Sequence, residues 1–411
     1  MLIHFFATGD YVRYGPSKLI ISRDHAIKGE KDKGKPRNEQ YLLLHRHLFS
    51  QKSKAYRAFE MTPTAHDLQS TVDKTAHSRK RRVMSQAFSD TALKFLEEHI
   101  HRHVDIFVKC LADRDSSRTN NGKDLWTHPK NVAQWCNFLS FDLMAELVFG
   151  KSFQILEQFD NRYIIDLIQY TAFRVGVCLQ MPELAQWNVD KVVAPNVRSL
   201  RDQCVALSKK MAVDRVNMDT TRQDLFSHIL AARDPETGKG FSLDELWGES
   251  TLLTVAGSDA ISTGMAGCFF YLSHHEHAYE KARNEVRSAF TSARDIKSGH
   301  TLNSCVFLRA CIEESLRMSP PVGGALWREV ENGGLYIGKS WSQKAAMLAS
   351  VSTLSNTTKD TSQHHSLIPQ SGGLSAQKIL STQLLRQRAH SHPFPLDRWA
   401  AWARILLTWS L

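Results

Sequence analysis

Residues Cys305-Val306-Phe307-Leu308-Arg309-Ala310-Cys311-Ile312-Glu313-Glu314-Ser315-Leu316-Arg317-Met318-Ser319-Pro320-Pro321 decide the reading of this chain. Leu308, Cys311, Ile312, Ser315 and Leu316 recur at helical spacing, so the stretch is a helix with one buried face. Glu314 and Arg317 are three apart and share a face, where they can pair. Pro320-Pro321 ends the helix, since proline has no N–H and its ring clashes with the preceding turn. By itself, Glu-x-x-Arg marks any amphipathic helix with a surface ion pair. The attached sequence, Val322-Gly323-Gly324-Ala325-Leu326-Trp327-Arg328-Glu329-Val330, narrows the reading.

The chain has 411 residues, 42% apolar and 23% charged, which is ordinary for a globular protein with a large core. Its net charge of +10 suits nucleic acid, an anionic membrane face or an acidic protein partner. No zinc-finger spacing or RNA-binding signature supports nucleic acid. Seven cysteines, none in a Cys-x-x-Cys pair, argue against a disulfide framework and for a reducing compartment. The N-terminal Met1-Leu2-Ile3-His4-Phe5-Phe6 is too short for a signal peptide or a membrane span. The one span-length apolar run, Leu252 to Leu272, carries Asp259 at its middle. A charge there is costly in lipid, so the run reads as a long helix crossing a protein core.

Working outward, Tyr11 to Ser22 alternates around Gly15-Pro16 as a hairpin. His25 to Lys74 is polar and irregular. His77-Ser78-Arg79-Lys80-Arg81-Arg82 puts cations at the start of a helix; they suit either a solvated face or an anionic ligand. Leu93, Leu96, Ile100, Val104, Phe107 and Leu111 form one apolar stripe. His99, His101 and His103 are two apart and splay around that helix, which disfavours a shared metal. Trp135 to Phe149 is an apolar helix stopped by Gly150. Residues 161–185 and 195–217 read as helices separated by the Pro182 and Pro195 region. Asp224 to Ala232 is a short helix, and Asp234 to Gly240 a loop. A long helix from Leu243 to about Leu272 and an amphipathic one from Tyr279 to Phe290 follow. His274-His275-Glu276-His277 is a turn between them. The class is mainly α.

Three blocks then line up in order: His77 to Arg82, Ala256-Gly257-Ser258-Asp259 in the long helix, and Glu314-Ser315-Leu316-Arg317. With Gly9-Asp10-Tyr11-Val12-Arg13, Pro320 to Gly324 and Trp327-Arg328-Glu329, the chain resembles a cytochrome P-450, a haem-thiolate monooxygenase of the fungal microsomal type. The resemblance covers about residues 9 to 338 and implies that fold, mainly helical with small β-sheets. It implies haem b contacts at Ala256, propionate partners at His77, Arg81 and Arg328, and a structural brace at Glu314 and Arg317. Gly257 would open room beside the cofactor, and Asp259 would relay protons. The family has threonine directly after the acidic residue, whereas here Ala260 stands there. Ser262, Thr263 or a substrate hydroxyl would supply the missing hydrogen bond.

The resemblance also implies a cysteine thiolate well after Arg317, followed by x-Gly, as the axial iron ligand. The last cysteine is Cys311, inside the Glu314–Arg317 helix, so the chain as written has no metal ligand. Residues 339–411 are rich in Ser, Thr, Gln and His and lack periodicity. They read either as a polar, poorly structured tail or as sequence out of frame. Taking each codon from the last base of one residue and the first two of the next, Trp399-Ala400 must give glycine and Ala400-Ala401 permits cysteine. Trp402-Ala403 must give glycine, and the segment to Leu407 permits Lys-Asn-Leu-Ala. Such a Gly-Cys-x-Gly loop resembles the family's haem-cysteine loop. The expected division is therefore 1–338, a P-450-like domain whose N-terminal anchor is absent, and 339–411, an out-of-frame tail with the boundary between about Gly338 and Ser342.

The resemblance further implies a monooxygenase acting on a small lipophilic substrate with O2 and with NADPH-derived electrons delivered by a reductase. It would work at the cytosolic face of the endoplasmic reticulum membrane, with residues 50–75 and 155–215 contributing the pocket and with no role for nucleic acid. The basic surface suits an acidic reductase and an anionic membrane face. The rival expectation is a haem-less, inactive product of the same family.

Overall fold

The computed structural model describes residues 11–15, 17–21, 50–60, 64–88, 96–112, 129–181, 195–218, 224–330, 335–337, 340–342 and 347–350. Ten α-helices lie in these segments: α1 Lys74–Gln86, α2 Glu97–Ala112, α3 Val132–Phe149, α4 Tyr163–Gln180, α5 Pro195–Asn217, α6 Leu225–Ala231, α7 Leu243–His274, α8 Glu276–Ala289, α9 His300–Asn303 and α10 Val306–Met318. The strands are β1 Tyr11–Gly15, β2 Lys18–Ile21, β3 Ser50–Lys52, β4 Arg328–Val330, β5 Leu335–Ile337, β6 Ser340–Ser342 and β7 Met347–Ser350.

The core is built on α3 and α7. Every residue of α3 from Phe138 to Phe149 is buried. A helix apolar on all sides must be covered on all sides, and α3 lies against α2, α6 and α7. Gly150 stops it in the left-handed conformation, φ 72°, which a residue without Cβ adopts freely. The next turn is fixed by a buried carboxylate: the Ile155 and Leu156 N–H groups donate to Asp142 at 3.0 and 2.8 Å. Helix α7 runs for 32 residues, about 48 Å at 1.5 Å per residue. It starts in a capping box in which Glu245 N–H donates to Ser242 Oγ and Ser242 N–H donates to Glu245 Oε2. Helix α10 crosses α7 and packs on α8. Glu285 of α8 accepts the Phe307 and Leu308 N–H groups at 3.0 and 2.8 Å, capping the start of α10.

The hairpin expected at 11–22 forms as β1 and β2. These strands open a five-stranded sheet of order β1-β2-β7-β4-β3, in which β2 and β7 pair in parallel and the other pairs are antiparallel. Strands β5 and β6 form a separate pair. Thus β6 and β7 lie beyond residue 338, and β7 sits inside the main sheet. The rest of 339–411, with the codon-shifted loop around Trp399, lies outside the described residues, as do Leu93 and the Pro182 region. No helix among the described residues is long and apolar enough to cross a membrane.

Candidate functional site

The middle of α7 is where helix periodicity and burial part company. Successive residues turn by about 100°, which puts Ala256, Asp259, Ala260 and Thr263 on one face. Ala256, Asp259 and Ala260 are exposed and Thr263 is half-buried, while Ser258, Ile261, Ser262 and Met265 on the other faces are buried. A helix of the core thus leaves one strip of small side chains uncovered by its neighbours. An apolar cavity lined by Phe149, Ile164, Ile168, Met211, Thr251 and Val255 lies on the other side of α7 and belongs to the core.

Asp259 is the one charged side chain on that strip. Although the residue is exposed, partial desolvation of its carboxyl raises it above the usual range. Among the described residues, that carboxylate has no hydrogen bond or ion pair. Ser262 is turned away: it is buried, and its hydroxyl donates to the Asp259 carbonyl at 3.0 Å. Of the two hydroxyls expected to stand in for Ala260, only Thr263 shares the face of Asp259. A Cβ on Gly257 would lie 2.7 Å from Met144 Cε, so this glycine lies against the Met144 side chain of α3.

At its C-terminal half the strip meets α10. A Cβ on Gly264 would lie 3.3 Å from Leu316 Cδ2, so α7 and α10 approach closely here. Behind this contact, Arg317 donates through Nε to Glu314 Oε2 and through Nη2 to Glu314 Oε1, both at 2.7 Å. This is a two-pronged pair, the strong geometry for guanidinium and carboxylate. The side chains are 16% and 3% exposed, so it is no surface i,i+3 bridge. Its hydrogen bonds to Glu314 hold the Arg317 guanidinium above its ordinary range.

The basic cluster on α1 divides. Arg79 pairs with Glu245, Lys80 with Glu245 and Glu249, and Arg82 with Asp234 and Glu236. These three cations fasten α1 to the start of α7 and to the 234–240 turn. His77 is half-buried and Arg81 exposed, one turn apart on α1. Arg328 is half-buried on β4 opposite Lys52 of β3. The next residue back, Trp327, is fully buried and donates through Nε1 to Gln180 Oε1 at 3.0 Å. The structure therefore gathers Ala256, Asp259 and Thr263, sets the Glu314–Arg317 pair behind the close contact of α10 with α7, and places His77 with Arg81 and Arg328 on two other elements.

All seven cysteines are placed. Cys136, Cys178, Cys204, Cys268, Cys305 and Cys311 are buried, and Cys110 is half-buried on α2. Cys311 is 0% exposed, and burial pushes its thiol up to about 11. Cys268, on the buried side of α7, is pushed up to about 12 by burial. None lies on the strip of Ala256, Asp259 and Thr263, and burial also raises the thiols of Cys136, Cys204 and Cys305. Among the described residues no group of three His, Cys, Asp or Glu side chains could hold a metal ion.

This fold has counterparts. The cytochrome P450 family model matches residues 41–336. The chain is 34% identical over 345 residues to the cytochrome P450 monooxygenase apf7 of Gibberella fujikuroi, covering 82% of this chain and 63% of that protein. It is 36% identical over 330 residues to the cytochrome P450 monooxygenase AKT7 of Alternaria alternata, covering 80% and 60%. Among solved structures it is similar to the cytochrome P450 CYP102L1, with a TM-score of 0.68 at 13% identity, covering 100% of this chain and 85% of that one. These observations define a P450-type helical fold, and the chain belongs to the cytochrome P450 family. It spans under two thirds of the length of these two curated relatives.

The family implies haem iron. The open strip of small side chains on α7 suits one face of a flat group. Six of the seven cysteines are buried, and none lies on that strip. Sequence reasoning missed Glu249. Its signal was a carboxylate seven residues before Ala256, on the same face of the helix.

Proposed function

We propose that the protein in its complete form is a haem-dependent monooxygenase that inserts one oxygen atom of O2 into a small lipophilic substrate, with electrons from NADPH through a reductase. The observation that carries this reading is the open strip Ala256, Asp259, Ala260 and Thr263, with Glu314 and Arg317 braced behind it. On that strip Asp259 is the group able to exchange protons, and Thr263 offers the hydroxyl that Ala260 lacks. Association with the endoplasmic reticulum membrane face is supported by Tyr163, Tyr170, Phe173 and Val177, which lie exposed along one face of α4.

A second reading is favoured by the cysteines. The chain as written is an inactive, haem-less member of the family, and its 339–411 segment is the product of a shifted reading frame. The test is to sequence the transcript across codons 330–345 and express both chains. A frame restoring Gly-Cys-x-Gly, with monooxygenase turnover by that chain alone, is the expected result. A single uninterrupted frame together with turnover by the present chain would reverse the assignment.

A further inference from the structure

Helices α4, α5 and α7 meet around an apolar cavity of about 30 Å³. Its walls include the side chains of Phe149, Ile164, Leu167, Ile168, Leu207 and Val255, and none of its lining residues is charged. Protein interiors pack as densely as organic crystals, and gaps with room for a small molecule are few.

The polar side chains at the wall are already paired. Ser208 Oγ donates to the Val205 carbonyl at 3.0 Å and accepts from Trp247 Nε1 at 3.0 Å. Thr251 Oγ1 donates to the Trp247 carbonyl at 2.9 Å, and Thr254 Oγ1 to the Ser250 carbonyl at 3.0 Å. The Cys204 thiol shares a hydrogen bond with Thr171, whose hydroxyl proton goes to the Leu167 carbonyl at 2.8 Å. Every hydroxyl proton at the wall is therefore spent inside its own helix. A buried water makes about three hydrogen bonds. Here it would find no hydroxyl donor, and most of its surface would face hydrocarbon.

We propose that this cavity is a binding site for one small apolar molecule of dioxygen size. A cavity with hydrocarbon walls stays dry and takes apolar guests, because the guest restores the dispersion contacts that the gap lacks. Met211 also lines it, and its flexible thioether side chain adapts as a guest enters. Val255 at the wall and Ala256 on the open strip are successive residues, about 100° apart around α7. A guest held here sits one helix wall from the strip. That dioxygen held here is consumed at the strip rests on the monooxygenase reading above; the choice of an apolar guest does not. A two-atom guest is held only in the millimolar range or more weakly, so the site fills under gas pressure.

The test is methyl relaxation in the full chain under a few atmospheres of dioxygen, whose unpaired electrons speed the relaxation of nearby nuclei. Ile164, Leu167 and Ile168 at the cavity are 6, 3 and 8% exposed, whereas Ile165, Leu111 and Leu272 away from it are 5, 8 and 2%. Burial alone gives the two sets equal enhancement; a gas site gives the cavity set the larger one. Leu207→Phe fills the cavity and should abolish the excess. Val255→Ile adds one methyl group and should reduce it, so a phenylalanine variant that folds poorly does not leave the question open. Equal enhancement of the two sets in the wild-type chain would overturn the proposal. So would an excess undiminished in every filling variant that folds, or a nuclear Overhauser contact between these methyls and a long-lived water. None of these readouts involves haem or turnover, so the gas site and the monooxygenase reading stand or fall separately.

Discussion

Replacing Arg317 with alanine strands a carboxylate. Glu314 is 3% exposed, and its two oxygens both accept from Arg317 at 2.7 Å. Removing one member of a fully buried pair costs about 3–5 kcal/mol, because the other charge is left without a partner. Arg317 itself is 16% exposed, so water reaches the gap and about 2–3 kcal/mol is the better expectation. Glu314→Gln in the Arg317→Ala background removes the stranded charge and should restore part of that loss, for a coupling of about 1–2 kcal/mol. Urea unfolding of the four chains, read by tryptophan fluorescence, checks this through the midpoint at constant slope. Additive losses would refute the claim that the pair is a buried brace.

Asp259→Asn should leave stability at pH 7 unchanged or raise it, with the difference shrinking toward pH 4. The Asp259 carboxyl is raised by burial, so its ionised form weakens the fold as pH rises; thermal melts at the two pH values check the sign. Asp224→Ala should cost about 3–5 kcal/mol, because it leaves the buried Arg215 without the carboxylate that accepts from its Nη2 at 2.8 Å, and it also removes the cap of α6; denaturant midpoints report it. In the native state only Cys110 should react with a water-soluble thiol reagent, the other six cysteines being buried; rapid labelling of Cys311 would contradict its placement.

The helices were legible wherever an apolar period ended in a recognisable stop. Phe149 followed by Gly150 and Met318 followed by Ser319-Pro320 are such endings. Apolar spacing shows which face of a helix is buried but not which neighbour buries it. At Gly257, for example, spacing does not show that Met144 of α3 is the neighbour. The same limit concealed Glu249 and Lys80, 169 residues apart in sequence, and the parallel pairing of β2 with β7, whose register depends on long-range closure. The small strip on α7 could be read only in part. Asp259 and Thr263 share its face by spacing alone, whereas the inward turn of Ser262 follows from its bond to the Asp259 carbonyl.

The proposal at the centre of this account is that the chain carries the open α7 strip and the buried Glu314–Arg317 pair of a P450, with none of its seven cysteines ligating iron. The most direct measurement is the absorption spectrum of the purified chain, mixed with haem, reduced and exposed to carbon monoxide. The account predicts no red-shifted Soret band of the thiolate-ligated kind. A stoichiometric band of that kind would contradict it and would mean that one of the seven cysteines reaches the iron.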